Sequence, residues 1–233
     1  MALVLGDVHG RLSKVEKFLK YKPKETHIFT GDYVDSFNAS DEEILYTLKK
    51  VIESDAILLL GNHDIHYLTN PPFMCSGYNY HMTKGLNEIY EEFITRFVPA
   101  TEVDGFVITH GGVSEGLSKR FIKAAMKENS ISEILIGEWK EYLKTKKKGS
   151  AIFNIPRCRG GKNSFGGIFW TDYRDEKLYK VPQVFGHSKT FDGGVKYVLP
   201  NHWAVGCDSP KNECFNTSTR KVEIFKKEGE ENG

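Results

Sequence analysis

Three times in its first 64 residues the chain runs a short apolar segment into a glycine followed at once by polar, ligand-type residues. "ALVL" (2–5) leads to "GDVHG", "THIFT" (26–30) to "GDYVD" and "AILLL" (56–60) to "GNHD". Between them lie two stretches with helical spacing. In 11–22 the apolar residues are Leu12, Val15, Phe18 and Leu19, and 40–53 opens on Ser40 with Glu43 three residues on, an N-cap and its capping-box partner. The order is β-α-β-α-β. Continuously apolar strands of this kind suit a buried, largely parallel sheet. Ligands of such sheets sit outside the carboxyl ends of the strands, so the three polar tips are expected to converge on one site.

The pattern continues more sparsely. Residues 84–97 have helical periodicity, "FVIT" (106–109) is a fourth strand ending in "HGG", and 115–146 reads as one or two helices with a turn near "ENS". "KTKKKG" (144–149) is a solvated helix end, and "RCRGGKNSFGG" (157–167) a glycine-rich loop without Walker A spacing. "QVFGHS" (183–188) is a fifth strand with a polar tip. "KYVLP", "HWAVGC" and "STRKVEIF" read as antiparallel strands closing the fold. The expectation is an α/β chain: a single domain over 1–225, two mixed sheets packed face to face with helices outside, and a flexible tail at 226–233.

Bulk properties narrow the class. The 233 residues suffice for one sizeable core, and the net charge of +1 gives no overall field for nucleic acid or membrane. No apolar stretch approaches the roughly 20 residues that span a bilayer, and "MALVLGDVHG" lacks the form of a signal peptide. Cys75, Cys158, Cys207 and Cys214 form no C-x-x-C pair, so they read as reduced thiols of a cytoplasmic protein.

Every strand tip carries a metal-ligand type: Asp7 and His9, then Asp32, then Asn62 and His63, then His110, then His187. Each alone is an ordinary turn residue. Together, carboxylate, amide and imidazole suit a hard-to-borderline divalent cation, and the lack of thiolate argues against a structural zinc.

"GDVHG", "GDYVD", "GNHD", "THGG" and "GHS", in this order over about residues 4–188, resemble the signature of the calcineurin-like metallophosphoesterases. Lys189 stands where phosphodiesterase members carry a second histidine, so the likeness is to the phosphoprotein-phosphatase branch and its bacterial and phage relatives. The resemblance implies a dinuclear centre of two divalent metal ions, Mn²⁺ first and Fe, Zn or Mg otherwise. Asp7, His9 and Asp32 would bind one metal, and Asp32 would bridge to a second held by Asn62, His110 and His187. A hydroxide between the metals would attack phosphorus in line. His63 would protonate the leaving group and Asp35 would hold His63 in its tautomer. His66, one turn on, is a further candidate for substrate contact outside the motif.

The likeness breaks at one place. The branch reads GDYVDRG, its arginine gripping phosphate, but this chain has Ser36 and Phe37 there. Replacement arginines lie in 157–175, with Arg159 beside two glycines the first choice and Arg157 and Arg174 next. The loop "NPPFMCSGYNYH" (70–81) offers Tyr78, Tyr80 or His81 to stack on a substrate ring, which would suit a nucleotide. The expected activity is hydrolysis of phosphomonoesters, phosphoserine or phosphothreonine proteins among them. A nucleotide-directed phosphoesterase (diadenosine polyphosphate hydrolase or phosphodiesterase) is the alternative, and an inactive binding scaffold the third reading. Seven ligand-type residues at buried strand ends speak against the scaffold, since without partners they cost stability.

Overall fold

A computed structural model describes residues 1–36, 38–119, 129–199 and 203–225. Phe37 and the expected tail, 226–233, lie outside the described residues, as does 120–128 of the expected helical stretch.

The β-α-β-α-β opening is present as read: β1 (Ala2–Leu5), α1 (Leu12–Lys20), β2 (Thr26–Phe29), α2 (Asp41–Ile52) and β3 (Ile57–Leu59). Ser40 caps α2, its side chain accepting from the Glu43 amide. β1 pairs with β2, β2 with β3, and β3 with β4 (Phe97–Val98), all in parallel. Two late strands, β10 (Glu213–Asn216) and β11 (Lys221–Ile224), extend the other edge antiparallel, which gives a six-stranded mixed sheet.

The second sheet has five strands: β5 (Ala100–Val103), β6 (Phe106–Thr109), β7 (Gln183–Phe185), β9 (Ala204–Gly206) and β8 (Lys196–Tyr197), in that order. Here the reading of "HWAVGC" as a purely antiparallel closing strand is corrected. β9 pairs antiparallel with β8 but parallel with β7, so its carboxyl end opens beside that of β7. "ECFN", which became β10, and "ATEV", which became β5, are too short and too polar to stand out by pattern.

The sheets pack face to face through Ala2, Val4, Ile28 and Leu59 of one and Phe106, Ile108, Val184 and Val205 of the other. The alternate residues, Leu3, Leu5, Phe29 and Leu58, face a separate core with Val15 and Phe18 of α1 and Leu48 and Val51 of α2. Each central strand is thus buried on both faces, which is why its sequence is apolar without alternation. Outside lie α4 (Thr83–Phe93) and α5 (Ile131–Thr145), the latter opened by a capping box between Ser130 and Glu133. A four-residue helix, α3 (Asn62–Ile65), starts directly at the tip of β3. No helix among the described residues is long and apolar enough to cross a membrane.

Candidate active site

The parallel strands end together, and backbone bonds lash their tips to one another. The amides of Val8 and His9 donate to the Asp32 carbonyl at 3.0 and 2.7 Å, joining the first tip to the second. Asp64, the acid of "GNHD", joins the second to the third. Its carboxylate accepts from the amides of Asp32, Tyr33 and Gly61 at 2.7, 2.9 and 2.7 Å and from the Tyr90 hydroxyl at 2.6 Å. The His187 amide donates to Asp7 Oδ1 at 2.9 Å, joining the second sheet to the first. Crowding explains the glycine before Asn62: a Cβ on Gly61 would stand 2.0 Å from Asp32 Oδ1. His9, Asp32, Asp35 and His187 all adopt left-handed backbone, with φ of 46°, 53°, 58° and 60°. Such geometry costs free energy in non-glycine residues and persists only where surrounding structure enforces it.

Two groups of ligating atoms result, one from Asp7, His9 and Asp32, the other from Asp32, His110 and His187; within each, the atoms lie within 4.8 Å of one another. Asp32 belongs to both. His9 Nε2 stands 3.8 Å from Asp7 Oδ2 and 3.9 Å from Asp32 Oδ2. His110 Nε2 stands 3.4 Å from Asp32 Oδ2, 2.9 Å from Asn62 Oδ1 and 3.2 Å from His187 Nδ1.

The outer contacts fix which atoms face inward. His9 Nδ1 meets the Val34 carbonyl at 3.0 Å and His110 Nδ1 the Thr30 carbonyl at 2.9 Å. A carbonyl only accepts, so Nδ1 carries the proton and Nε2 presents a lone pair. Asn62 Nδ2 donates to Cys75 Sγ at 3.3 Å, which turns Oδ1 toward the imidazoles. With His110 neutral, its Nε2 lone pair converges with those of Asp32 and Asn62; charged, the same ring donates to them. An oxygen-and-nitrogen donor set arranged this way fits a divalent cation in place of that proton. The surroundings pull charge in the same direction. Burial opposes ionisation of Asp32, but His110, His63 and His9 hold its carboxyl below the ordinary range. Burial and the neighbouring His110 push His187 well down, toward the neutral form that binds metal.

His63 stands at the rim of this cluster. Its Nδ1 lies 2.8 Å from Asp35 Oδ2, and its amide donates to Asp32 Oδ1 at 2.9 Å. Burial disfavours the charged ring, but the charge of Asp32 and the bond to Asp35 outweigh it and raise the pKa to about 9. Asp35 is itself shared. Tyr67 OH donates to Oδ1 at 2.5 Å, and His66 Nε2 lies 2.7 Å from Oδ2. His66 is fully buried and accepts from the Cys75 amide, so it is a second partner of Asp35 rather than a residue of the cleft.

The cleft has a volume of about 300 Å³ and is lined, beside Asp7, His9, Asp32, Asn62, His187 and His63, by Ser76, Arg159, Trp170, Arg174, Lys189 and Asp208. Arg157 is not among its lining residues. Arg159 Nη2 lies 2.8 Å from Asp172 Oδ2 and donates to Ser188 Oγ at 2.7 Å, while its Nε is buried without a hydrogen-bond partner. Arg174 grips both oxygens of Asp172 at 2.9 and 2.7 Å. Burial works against the Asp172 charge, but these bonds bring its pKa down to about 2. A second space of about 470 Å³ continues from His9 and His63 past Ser36, Arg11 and Asn38. Ser36 Oγ accepts from the amides of Asn38 and Ala39, a turn-forming role with no charge to offer. Tyr78 stacks on Tyr67 at 5.0 Å within the protein, while Tyr80 is 81% exposed; neither they nor His81 line the cleft.

Sequence reasoning passed over Cys75, Asp172 and Asp208. Cys75 orients a ligand and Asp172 anchors two arginines, roles with no local signature. Asp208 had one: Gly206-Cys207-Asp208 repeats the strand–glycine–acid pattern. Burial and the charge of Asp7 push the Asp208 carboxyl up to about 7.

Comparison with known proteins agrees with this architecture. Residues 2–189 match the calcineurin-like phosphoesterase family. A serine/threonine-protein phosphatase with EF-hands from Rattus norvegicus is 27% identical over 146 residues, 57% of this chain and 22% of that protein. Serine/threonine-protein phosphatase T of Saccharomyces cerevisiae is 28% identical over 117 residues, 47% and 23%. The matched regions thus span less than a quarter of these relatives' length. Among solved structures, a serine/threonine phosphatase from Saccharomyces cerevisiae superposes with a TM-score of 0.53 at 18% identity, over 91% of this chain and 67% of that one. A putative diadenosine tetraphosphatase superposes with a TM-score of 0.54 at 16% identity, over 95% and 91%. Strand tips, ligand order and family match coincide: the chain belongs to the calcineurin-like phosphoesterase family and resembles its serine/threonine phosphatase members.

Proposed function

We propose that this chain is a dinuclear-metal phosphomonoesterase, with phosphoserine or phosphothreonine proteins among its substrates. The observation that carries this reading is the pair of ligand groups sharing Asp32, with the Asp35–His63 pair at their edge. Asp7, His9 and Asp32 would hold one cation and Asp32, Asn62, His110 and His187 the other. Two such cations, Mn²⁺ first among them, supply a nucleophile at neutral pH and positive charge for the phosphoryl oxygens.

The chain's own residues do the rest. His63 donates a proton from Nε2 to the departing alkoxide, its charged form favoured by the bond from Nδ1 to Asp35. Asp35 holds the Nδ1 proton and steadies the imidazolium, and Tyr67 and His66 fix Asp35 in turn. Arg159 has an unengaged buried Nε at the cleft wall and is the first candidate to orient phosphate, with Arg174 beside it. Asp172 keeps both guanidinium groups in place. Arg157, outside the cleft lining, is the weakest of the three. The four free thiols suit a cytoplasmic setting.

The nucleotide-directed alternative has one observation in its favour. Ser36 leaves open the space of about 470 Å³ beside His63, where a bulky leaving group could lie. Against it, the aromatic residues expected to stack on a base do not line the cleft. Assays with p-nitrophenyl phosphate, bis-p-nitrophenyl phosphate and a diadenosine polyphosphate, each with added Mn²⁺, separate the readings. Monoester turnover alone supports the proposal, preference for the diester or dinucleotide supports the alternative, and no metal binding and no turnover returns the scaffold.

A further inference from the structure

We infer that Asp208 strengthens the cation on the side of Asp7 and His9 as a buried carboxylate beside the ligand group of Asp7, His9 and Asp32, not as a member of it. This rests on the metal-dependent reading above. β9 runs parallel to β7, so its end opens beside the His187 tip. The Cys207 amide donates to the Phe185 carbonyl at 2.6 Å and carries the chain one residue past the strand. The next residue, Asp208, lines the cleft together with Asp7 and His9. The fit at this junction is close: a Cβ on Gly6 would stand 2.1 Å from the Cys207 carbonyl oxygen.

Asp208 is only 3% exposed, and its Oδ1 is buried with no hydrogen-bond partner among the described residues. A buried carboxylate oxygen without a partner is costly, and a second acid nearby, Asp7, makes it more so. Buried Lys14 donates to the Ser209 carbonyl at 2.5 Å and forms no ion pair with Asp208 within 4.0 Å, and burial pushes its pKa down to about 7. A divalent cation between the first tip and the β9 tip relieves both acids at once. Partners around a metal commonly set its affinity by about ten- to a hundredfold.

Titration calorimetry with Mn²⁺ at pH 8, on metal-free wild type and Asp208→Asn, tests this, together with thermal unfolding of both metal-free proteins. The expected result is two Mn²⁺ in the wild type, and in the variant about tenfold or greater weakening of one of them. The metal-free variant should melt at or above the wild type, because a repulsive buried charge is gone. Two Mn²⁺ bound with unchanged affinity in the variant would overturn the inference. So would a lower melting point with affinity intact, which would make Asp208 an electrostatic partner of Lys14. Asp208→Ser gives the same two readings if the asparagine variant does not fold. Wild type that binds no Mn²⁺ would instead remove the metal-dependent reading itself.

Discussion

The two walls of the cleft are built on different principles. One wall is the row of parallel strand ends, where Asp7, Asp32 and Asn62 are each about 2% exposed and held by backbone bonds between tips. The other is the irregular stretch from Arg159 to Arg174, whose two arginines are steered by Asp172 and stay partly open to solvent. Strand ends are fixed by sheet hydrogen bonds and packing, so ligands placed there are preorganised. Loop side chains are fixed by a few ion pairs and can be exchanged without disturbing the sheet. Under the proposed function the chemistry belongs to the rigid wall and the choice of substrate to the loop wall.

Substitutions can break that division. Asp32→Asn should empty both cation sites and lower turnover of p-nitrophenyl phosphate by at least about a thousandfold, since Asp32 alone belongs to both ligand groups. Loss of a single Mn²⁺ in calorimetry would show that Asp32 is no bridge. His63→Asn should cost about 10²–10⁴-fold with poor leaving groups and much less with p-nitrophenolate, with both cations retained. Equal loss of turnover and metal affinity would remove His63 as proton donor and put it among the ligands.

Smaller effects belong to the loop wall. Arg159→Ala should raise KM for phenyl phosphate about tenfold, worth roughly 1.4 kcal/mol, and leave Mn²⁺ affinity intact; Arg157→Ala should change neither. If Arg157→Ala has the larger effect, the cleft geometry misassigns the phosphate grip. Ser36→Arg restores the guanidinium of the wider branch and should lower KM for the same ester a few-fold. No change in KM would mean that Arg159 and Arg174 already saturate the phosphate.

A pH test reads the rigid wall without turnover. His63 in the metal-free protein titrates near 9 against an ordinary 6.5. A raised native pKa gives stability that is complete below pH 6.5 and is lost as pH climbs to 9, up to about 3 kcal/mol. Thermal unfolding in EDTA at pH 6 and pH 9.5 should show a larger drop for wild type than for His63→Gln. Equal drops would mean that Asp32 and Asp35 do not hold the proton on His63.

Legibility in the sequence follows the same division. β1, β2 and β3 and their tips could be read because a strand buried on both faces must be apolar throughout, and the tip then announces itself as an abrupt run of polar residues. β10 and β5 could not, because polar residues interrupt their short apolar pattern, Glu213 and Asn216 in one and Thr101 and Glu102 in the other. His66 was drawn toward the substrate by its helical spacing from His63, but the fold turns it inward onto Asp35. Tyr78 was offered to a ligand and is instead stacked on Tyr67. In both cases local spacing was right and the direction of the side chain depended on what packed over it.

By itself, the order of residues determined that five strand tips carry ligand-type side chains, that Asp32 and Asp35 stand three positions apart beyond the second strand, and that no arginine follows directly. Those properties are local, written in runs of five to ten residues. Only the tertiary structure decided that Cys75 turns the Asn62 amide, that Asp172 selects Arg159 and Arg174 over Arg157, and that Asp208 reaches the same cleft. Apart from Arg174 and Asp172, two positions apart, these contacts join residues thirteen or more positions apart. The hydrophobic pattern says which segments are buried together but leaves open which tips then meet.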